Sequence, residues 1–579
     1  MPLDQQHRRN PRDDAHIKRL TALRPELGTF LGLPEGTSDL PAHGQEERRS
    51  VLEANVAWRR DLEAQTKESA ERLLDTRVFS ASLELARYAE EELNSWASDP
   101  DVASGLAEIL LRHLKGLMPL DPAERFSTLA RRLRGVPAYL QGARPQLKRP
   151  SAELLGHTRE ILEGFPELLR AIADGARRAA SAERPIEPAL VAEVESAVDV
   201  ASGAVEDHGA WLGAQPGVVH APLGRSRFDE LLRLRGLDLT SNEVLELGRA
   251  VAEEMWIEQA RVLRRGFKGE PLGAALAMAR RTSPLSLAEA VAWMRELVEQ
   301  SRTFLADNGA VPVPSGSAAN ADERVDVDAM PACLAWPSGV TAGYVPPQAY
   351  AVRQDGLLLL RETPGPQADA LADLAVAELE NDVALLAFPG RHLQSVWWNR
   401  TTSLARRGAM LGALGGPGGI WAQDMQEGWA LTAAELMREQ HFRHSPAARL
   451  MMVRRMLRAA LFAIADVALS TGRLSADAAT GFLARRAGLR PAVARAVVRN
   501  MLRLPTSGVS GLVGKVRIEQ LRREACGRWR GGFNARRFHS FLLVNGPVPL
   551  AYLFERLDEP PAFITDVVTA SHPIPDENA

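Results

Sequence analysis

The sequence contains few of the residues that build disulfide frameworks or thiolate metal sites. Only two of its 579 residues are cysteines, Cys333 and Cys526, and they form no C-x-x-C pattern. Two distant cysteines argue against a disulfide-stabilised secreted scaffold and favour a reducing compartment. We therefore expect neither a disulfide framework nor a zinc ion held by cysteine thiolates.

Long apolar runs are also missing. The longest, residues 459–469, is about half the length of a membrane-spanning helix and contains Asp466. Residues 1–16 are polar and charged and contain no apolar segment of the kind that a secretory signal peptide has. These features predict a cytoplasmic protein that does not interact with a membrane.

The remaining composition is that of a globular protein, with 45% apolar and 25% charged residues. Helical periodicity dominates, so the predicted fold class is mainly α, with one small antiparallel sheet. Composition and periodicity divide the chain into four regions. They are a poorly ordered segment (1–45), a helical region (46–305), a linker rich in Pro, Gly and Ser (306–329) and a C-terminal region (330–579).

Three short apolar runs are the best candidates for strands: Ala332–Trp336, Ala349–Arg353 and Leu357–Arg361. Asp355-Gly356 lies between the last two and predicts a hairpin, because Asp-Gly suits a tight turn.

The segment that follows the strands predicts a helix over residues 369–386. Asp369 is the expected N-cap, and Pro389-Gly390 is expected to end or kink the helix.

The end of this helix carries the most informative motif. Residues 385–394 read L-L-A-F-P-G-R-H-L-Q, which resembles the signature H-E-x-x-P-G-H-H-L-Q of a bacterial family of zincin-like metallopeptidases. The resemblance extends over about residues 50–557. Its other segments are Glu427-Gly428-Trp429-Ala430-Leu431, residues 499–508, Phe538-His539-Ser540-Phe541-Leu542-Leu543, Gly546-Pro547-Val548-Pro549-Leu550 and, more weakly, Gly343-Tyr344-Val345-Pro346-Pro347.

The resemblance implies a zincin-like helical body, but the residues that would bind and use zinc are replaced. The positions of two zinc-binding histidines and of the general base read Leu385, Arg391 and Leu386, while Glu427 keeps the position of the third ligand. Leucine has no lone pair to offer a metal, and a guanidinium stays protonated. We therefore expect no metal site and no cofactor.

A buried Glu427 without a metal ion would need another positive partner. Arg391 stands where a metal ligand would be, so we predict an Arg391–Glu427 ion pair; the alternative is that Arg391 points to solvent and Glu427 caps a helix.

The candidate catalytic residues are Glu427, His392 and His539, which could supply acid–base groups. His539 has an alternative role as a packed histidine that bonds a backbone carbonyl. The candidate ligand-binding residues are Arg391, Gln394, Trp429, Arg499 and Lys515.

Positive charge is concentrated near the C-terminus. Between Arg449 and Arg537 there are 19 Lys and Arg residues and four acidic residues, in a chain whose net charge is −3. One interpretation is a pocket for an anionic small molecule or peptide-like ligand, because arginine binds carboxylates and phosphates in two-pronged geometry. The other is that the basic part packs against an acidic part. We do not expect a nucleic-acid partner, because few aromatic residues interleave with the arginines.

Three functions remain open at this point. The first is a metal-independent enzyme that hydrolyses, cyclises or dehydrates a small anionic or amide-containing metabolite. The second is a non-catalytic binding or scaffold protein, and the third is a hydrolase or peptidase with an unrecognised metal site.

Overall fold

The structure is a computed structural model. It describes residues 11–33, 39–67, 69–118, 120–313, 323–334, 341–351, 353–363, 366–401, 403–410 and 421–558. Within this part of the chain, no helix is both long enough and apolar enough to cross a membrane.

The N-terminal half is helical. Its helices are α1 (Pro11–Leu23), α2 (Glu26–Leu31), α3 (Gln45–Ala64), α4 (Ala70–Tyr88), α5 (Ala103–Leu114), α6 (Pro122–Ala143), α7 (Ala152–Glu163), α8 (Phe165–Ala180), α9 (Pro188–Gly213), α10 (Arg225–Leu234), α11 (Ser241–Gly266), α12 (Leu272–Ala279) and α13 (Leu287–Asn308).

Three strands and a second set of helices follow. They are β1 (Val325–Ala329), β2 (Ala342–Val345), β3 (Gly356–Leu360), α14 (Gln367–Ala372), α15 (Val376–Leu386), α16 (Arg391–Thr401), α17 (Leu404–Met410), α18 (Gln423–Glu439), α19 (Pro446–Ser470), α20 (Ala476–Arg486), α21 (Pro491–Arg503), α22 (Ser510–Trp529), α23 (Ala535–Val544) and α24 (Leu550–Glu555). The prediction of a mainly α fold with one small sheet is confirmed.

The sheet lies between two helical cores. Its order is β1-β3-β2, and the central strand β3 is buried along its whole length. Leu358 and Leu360 face the core built on α13, α15, α16 and α18, whereas Leu357 and Leu359 face the core of α5–α9. The apolar run of β3 without alternation therefore reflects burial on both faces.

The sheet is mixed, so the prediction of an antiparallel sheet was only partly right. Strand β3 pairs antiparallel with β2 but parallel with β1. The predicted strand Leu357–Arg361 corresponds to β3, whereas the described residues of Ala332–Trp336 and Ala349–Arg353 form no strand.

The predicted hairpin is absent because the backbone before Asp355-Gly356 makes other hydrogen bonds. Gln354 Nε2 donates to Ala351 O at 2.7 Å and to Gln348 O at 3.3 Å, and Tyr350 N donates to Leu31 O at 2.8 Å. These bonds close a turn and tie the segment to α2, so it does not pair along β3.

Two of the predicted regions contain more structure than expected. The N-terminal segment includes α1 and α2, and Trp58 Nε1 donates to Asp13 Oδ1 at 3.0 Å. The predicted linker includes β1, whose alternating residues V-D-V-D-A suit an edge strand. The division into four regions itself stays a prediction.

The helix predicted over residues 369–386 is two helices, α14 and α15, and Asp369 lies inside α14 instead of capping it. The predicted effect of Pro389-Gly390 is confirmed, because α15 ends at Leu386 and α16 begins at Arg391. A Cβ atom on Gly390 would lie 2.0 Å from Leu385 O, so only glycine fits this close turn.

Glycines also bring α18 and α22 into close contact. A Cβ atom on Gly428 would lie 2.4 Å from the carbonyl carbon of Gly514, and one on Gly514 would lie 2.0 Å from Asp424 O. The backbones of the two helices therefore touch directly. This contact fixes α18, and with it the neighbouring residue Glu427.

Candidate functional site

A cavity of about 640 Å³ lies where α15, α16, α18, α19 and α21 meet beside β2. Leu385, Leu386, Arg391 and Glu427 all line it. The four positions that the resemblance assigns to zinc chemistry thus converge on one cavity, and two leucines give part of its wall an apolar surface.

The predicted ion pair is present in this cavity. The Arg391 guanidinium donates to Glu427 Oε1, which joins the first turn of α16 to α18. The two side chains are 27% and 33% exposed, so the pair is half-buried and open to the cavity. Glu427 therefore has a cationic partner from the same loop that carries the signature.

A second set of ion pairs forms another part of the wall. Arg455 lies 2.6 Å from Asp382 and 3.6 Å from Glu378 of α15, which joins α15 to α19. Asp373 accepts from Arg490 at 2.6 Å and lies 3.1 Å from Arg280. These carboxylates are thus neutralised by arginines that also line the cavity.

Arg458 differs from these arginines. It lines the cavity one turn of α19 after Arg455, yet it makes no hydrogen bond or ion pair with any described residue. Desolvation lowers the pKa of Arg458, although the nearby Glu378 opposes this effect. A guanidinium remains charged at neutral pH, so Arg458 is a cation that can accept an anionic partner.

His392 lies behind the cavity wall and not on it. It is fully buried, and its Nδ1 atom lies 3.1 Å from the hydroxyl oxygen of Tyr344, which does line the cavity. Burial lowers the pKa of His392 to about 3, so the imidazole is neutral. Any influence of His392 on a ligand would therefore pass through Tyr344.

His539, Trp429 and Gln394 are also packed away from the cavity lining. His539 Nδ1 donates to Ala310 O at 2.9 Å, and burial lowers the pKa of this histidine to about 4. Trp429 Nε1 donates to Pro389 O at 2.9 Å. Gln394 Nε2 donates to Met425 O at 3.3 Å. These contacts support the loop and its neighbouring helices.

Two further candidates lie elsewhere. Arg499 binds Glu160 of α7 at 2.8 Å. Lys515 is buried between Glu435 and Glu519, at 2.5 Å and 2.7 Å. Neither lines the cavity. Of the predicted site residues, the structure brings only Arg391 and Glu427 to the cavity wall.

The residues around Glu427 do not fit a zinc ion. Leu385 and Leu386 offer no donor atoms, and the Arg391 guanidinium occupies the remaining position next to the carboxylate. Elsewhere in the described part of the chain, no three His, Cys, Asp or Glu residues are grouped so that they could hold a metal.

Several lining residues were not singled out from the sequence. Tyr344 lies in the segment G-Y-V-P-P, and the weak match of this segment to the family was the one indication in the sequence that Tyr344 belongs to the site. Arg455 and Arg490 belong to the basic stretch, but their spacing does not distinguish them from its other arginines. Arg280 and Asp382 have no local signal, because only the packing of distant segments brings them to the cavity.

A family profile described as "Bacterial protein of unknown function (DUF885)" matches residues 25–557. The chain belongs to this family. The prediction of a near full-length match to a bacterial family of unknown function is confirmed, whereas the zincin-like character of that family stays a prediction, because the description assigns no activity. A search of curated proteins found no match.

Two solved structures have the same fold. One is titled a "putative lipoprotein of unknown function" from Shewanella oneidensis, with 19% identity, a TM-score of 0.68, and coverage of 95% of this chain and 99% of that one. The other is titled a "putative lipoprotein" from Colwellia psychrerythraea, with 16% identity, a TM-score of 0.74, and coverage of 96% and 99%. At these identities the likeness establishes the fold alone.

Proposed function

We propose that this DUF885 protein is a diverged relative of zincin-like peptidases that acts, without a metal ion, on a small anionic or amide-containing metabolite. The ligand occupies the cavity between α15, α16, α18, α19 and α21. A cytoplasmic location, which the two distant cysteines favour, is part of this proposal.

The observation that carries the proposal is Arg458. Arg280, Arg391, Arg455 and Arg490 each have a carboxylate partner, whereas Arg458 lines the cavity with none among the described residues. Holding an unpaired cation in a partly buried wall is costly unless a ligand compensates it. A carboxylate or phosphate is the group that a guanidinium binds best, through two parallel hydrogen bonds.

Two lining residues could carry acid–base chemistry next to that anchor. Glu427 presents a carboxylate oriented by Arg391. Burial raises the pKa of Tyr344, so its hydroxyl stays protonated and can donate a hydrogen bond to a carbonyl oxygen of the ligand. In this scheme Glu427 moves the proton, and His392 is a positioning residue that holds the Tyr344 hydroxyl.

A non-catalytic binding protein is the second candidate, and one observation favours it. His392 and His539, two of the three predicted acid–base residues, lie outside the cavity lining. The cavity would then select an anion through Arg458 without converting it.

The test uses EDTA-treated protein and a panel of N-acetyl amino acids and dicarboxylates, with binding followed by calorimetry and conversion by NMR. Arg458→Leu should weaken binding about tenfold or more, because it removes a charged hydrogen-bonding partner. Arg495→Leu is the matched control, because Arg495 is exposed on α21.

Glu427→Gln separates the two candidates. An enzyme is supported if the wild type converts a compound of the panel and Glu427→Gln binds that compound but no longer converts it. Binding without conversion supports the second candidate. Absence of binding by the whole panel, or a requirement for added metal, contradicts the proposal.

A further inference from the structure

A second cavity of about 400 Å³ lies in the N-terminal half, among α3, α5, α6 and α9. It shares no lining residue with the cavity around Glu427. Its volume is in the range of small-molecule sites in proteins, about 300–1,000 Å³.

Aromatic rings form much of its wall: Phe30, Trp96, Tyr139 and Trp211. The Arg48 guanidinium lies 4.3 Å from the centre of the Trp96 ring, and Tyr139 is held by a 2.9 Å hydrogen bond from its hydroxyl to Val102 O. Such rings favour a flat, aromatic occupant, because ring faces and edges attract one another.

Several polar groups of this lining have no hydrogen-bond partner among the described residues. Both ring nitrogens of His208 are unpaired although the residue is only 1% exposed. Three more buried nitrogens of the lining have no hydrogen-bond partner within the described part of the chain: Trp96 Nε1, Arg48 Nη2 and His43 Nε2. The indole and guanidinium nitrogens only donate, so their missing partner is an acceptor. Buried polar groups without partners are costly, which points to a ligand that supplies them.

Three of the four acidic side chains of this lining have cationic partners, and the fourth, Glu47, is exposed to solvent. Asp99 and Asp101 bind Arg503 at 2.8 Å and 2.9 Å. Glu26 binds Arg24 through one carboxylate oxygen, while its other oxygen is unpaired. Arg48 itself donates to Glu90 at 2.7 Å and to Gln146 at 2.7 Å, so its Nη2 atom is the donor left for a ligand. The lining therefore presents unpaired donors next to acids of which three already have cationic partners.

We infer that this second cavity is a binding site for a small aromatic carboxylate. The ring of the ligand lies among Trp96, Tyr139 and Trp211, and its carboxylate accepts hydrogen bonds from Arg48 and from the Trp96 indole. His208 is a further partner for the polar edge of the ligand.

The inference is tested with the full-length protein and three probes: phenylacetate, indole-3-acetate and cyclohexylacetate. Cyclohexylacetate has the carboxylate and nearly the shape of phenylacetate but no aromatic ring. Calorimetry should show saturable 1:1 binding of the two aromatic acids, and binding of cyclohexylacetate should be about tenfold weaker.

Two variants locate the binding. Trp96→Phe keeps an aromatic ring under Arg48 but removes the N–H donor, and His208→Leu removes the imidazole while keeping a side chain of similar size. Each should weaken binding of indole-3-acetate about fivefold to tenfold. His444→Leu, at an exposed histidine distant in the chain, should leave binding unchanged.

Thermal unfolding verifies that each variant is folded. If one variant does not fold, the other alone is enough to test the inference. The inference is overturned if neither aromatic acid binds at millimolar concentration, if cyclohexylacetate binds as tightly as phenylacetate, or if the folded variants bind like the wild type.

Discussion

The packed layer behind the signature loop and the cavity wall in front of it are built in different ways. The packed layer consists of Gly390, His392, Gln394, Gly428 and Trp429. Its glycines allow backbone contacts that a single methyl group would block, and its side chains bond backbone carbonyls or a buried hydroxyl. Each of these residues has little freedom to change.

The cavity wall in front of this layer includes Leu385, Leu386, Arg391, Glu427 and Arg458. These side chains border open space, and the Arg391–Glu427 pair is half-exposed. A change at Arg391, Glu427 or Arg458 alters the chemistry of the cavity with little effect on packing, whereas Leu385 is also part of the buried core. The difference between the two regions is that the Pro-Gly turn and the Gly-Trp pair hold the loop in place through backbone contacts, whereas the charged residues of the wall border the cavity.

The largest expected effect comes from the packed layer. Gly428→Ala places a methyl group 2.4 Å from the Gly514 carbonyl carbon, so α18 and α22 must separate. Forcing extra volume into such a contact costs about 3 kcal/mol. Chemical denaturation should show this loss in the free energy of unfolding.

Gly527→Ala is the matched control on α22. A Cβ atom there meets no other atom within 4 Å. Because alanine is a better helix former than glycine, the control should gain about 0.5–1 kcal/mol. If Gly428→Ala were as stable as the wild type, the two helices would not be in backbone contact.

The second prediction concerns pH. Burial lowers the pKa of His392 to about 3 in the folded protein, whereas an unfolded histidine titrates near 6.5. As the pH falls from 7 to 5, the unfolded chain binds a proton that the folded protein does not, so folding loses about 2 kcal/mol from this residue. This contribution is fully present above pH 6.5 and is lost progressively as the pH falls from 6.5 to about 3.

His392→Gln should remove this contribution, so the difference in stability between wild type and variant should shift by about 2 kcal/mol between pH 7 and pH 5. His444→Gln is the control, because His444 is exposed to solvent in the folded protein and should leave the wild-type pH dependence intact. Parallel pH profiles of wild type and His392→Gln would show that His392 is accessible to protons, and would place it outside the packed layer.

The same comparison explains what could be predicted from the sequence. Some features depend mainly on residues that are close together in the sequence, and their predictions are confirmed. They are the mainly helical fold, the strand β3 and the helix break at Pro389-Gly390. The motif also predicted that Arg391 and Glu427 meet, because a shared signature fixes which segments adjoin.

The predictions that failed concern features that depend on contacts between segments far apart in the chain. β1 was assigned to a linker because its partner, β3, begins 27 residues after β1 ends. His392 follows Arg391 directly, yet it points into the packed layer, since adjacent residues of a helix face different directions. Spacing alone does not reveal that Arg499 binds Glu160 of α7.

The smallest effect is expected at the cavity wall, from a double-mutant cycle on Arg391→Leu and Glu427→Gln. Exposed ion pairs contribute up to about 1 kcal/mol, and breaking a fully buried pair costs about 3–5 kcal/mol. Because these side chains are 27% and 33% exposed, we expect a coupling of about 1 kcal/mol.

The control cycle uses an exposed pair on α3, Arg49 and Glu53, for which we expect a coupling of a few tenths of a kcal/mol. Thermal unfolding of the four proteins in each cycle measures both couplings. Additive effects for Arg391 and Glu427 would mean that the arginine does not hold the carboxylate in solution, and Glu427 would then be free to contact a ligand without Arg391.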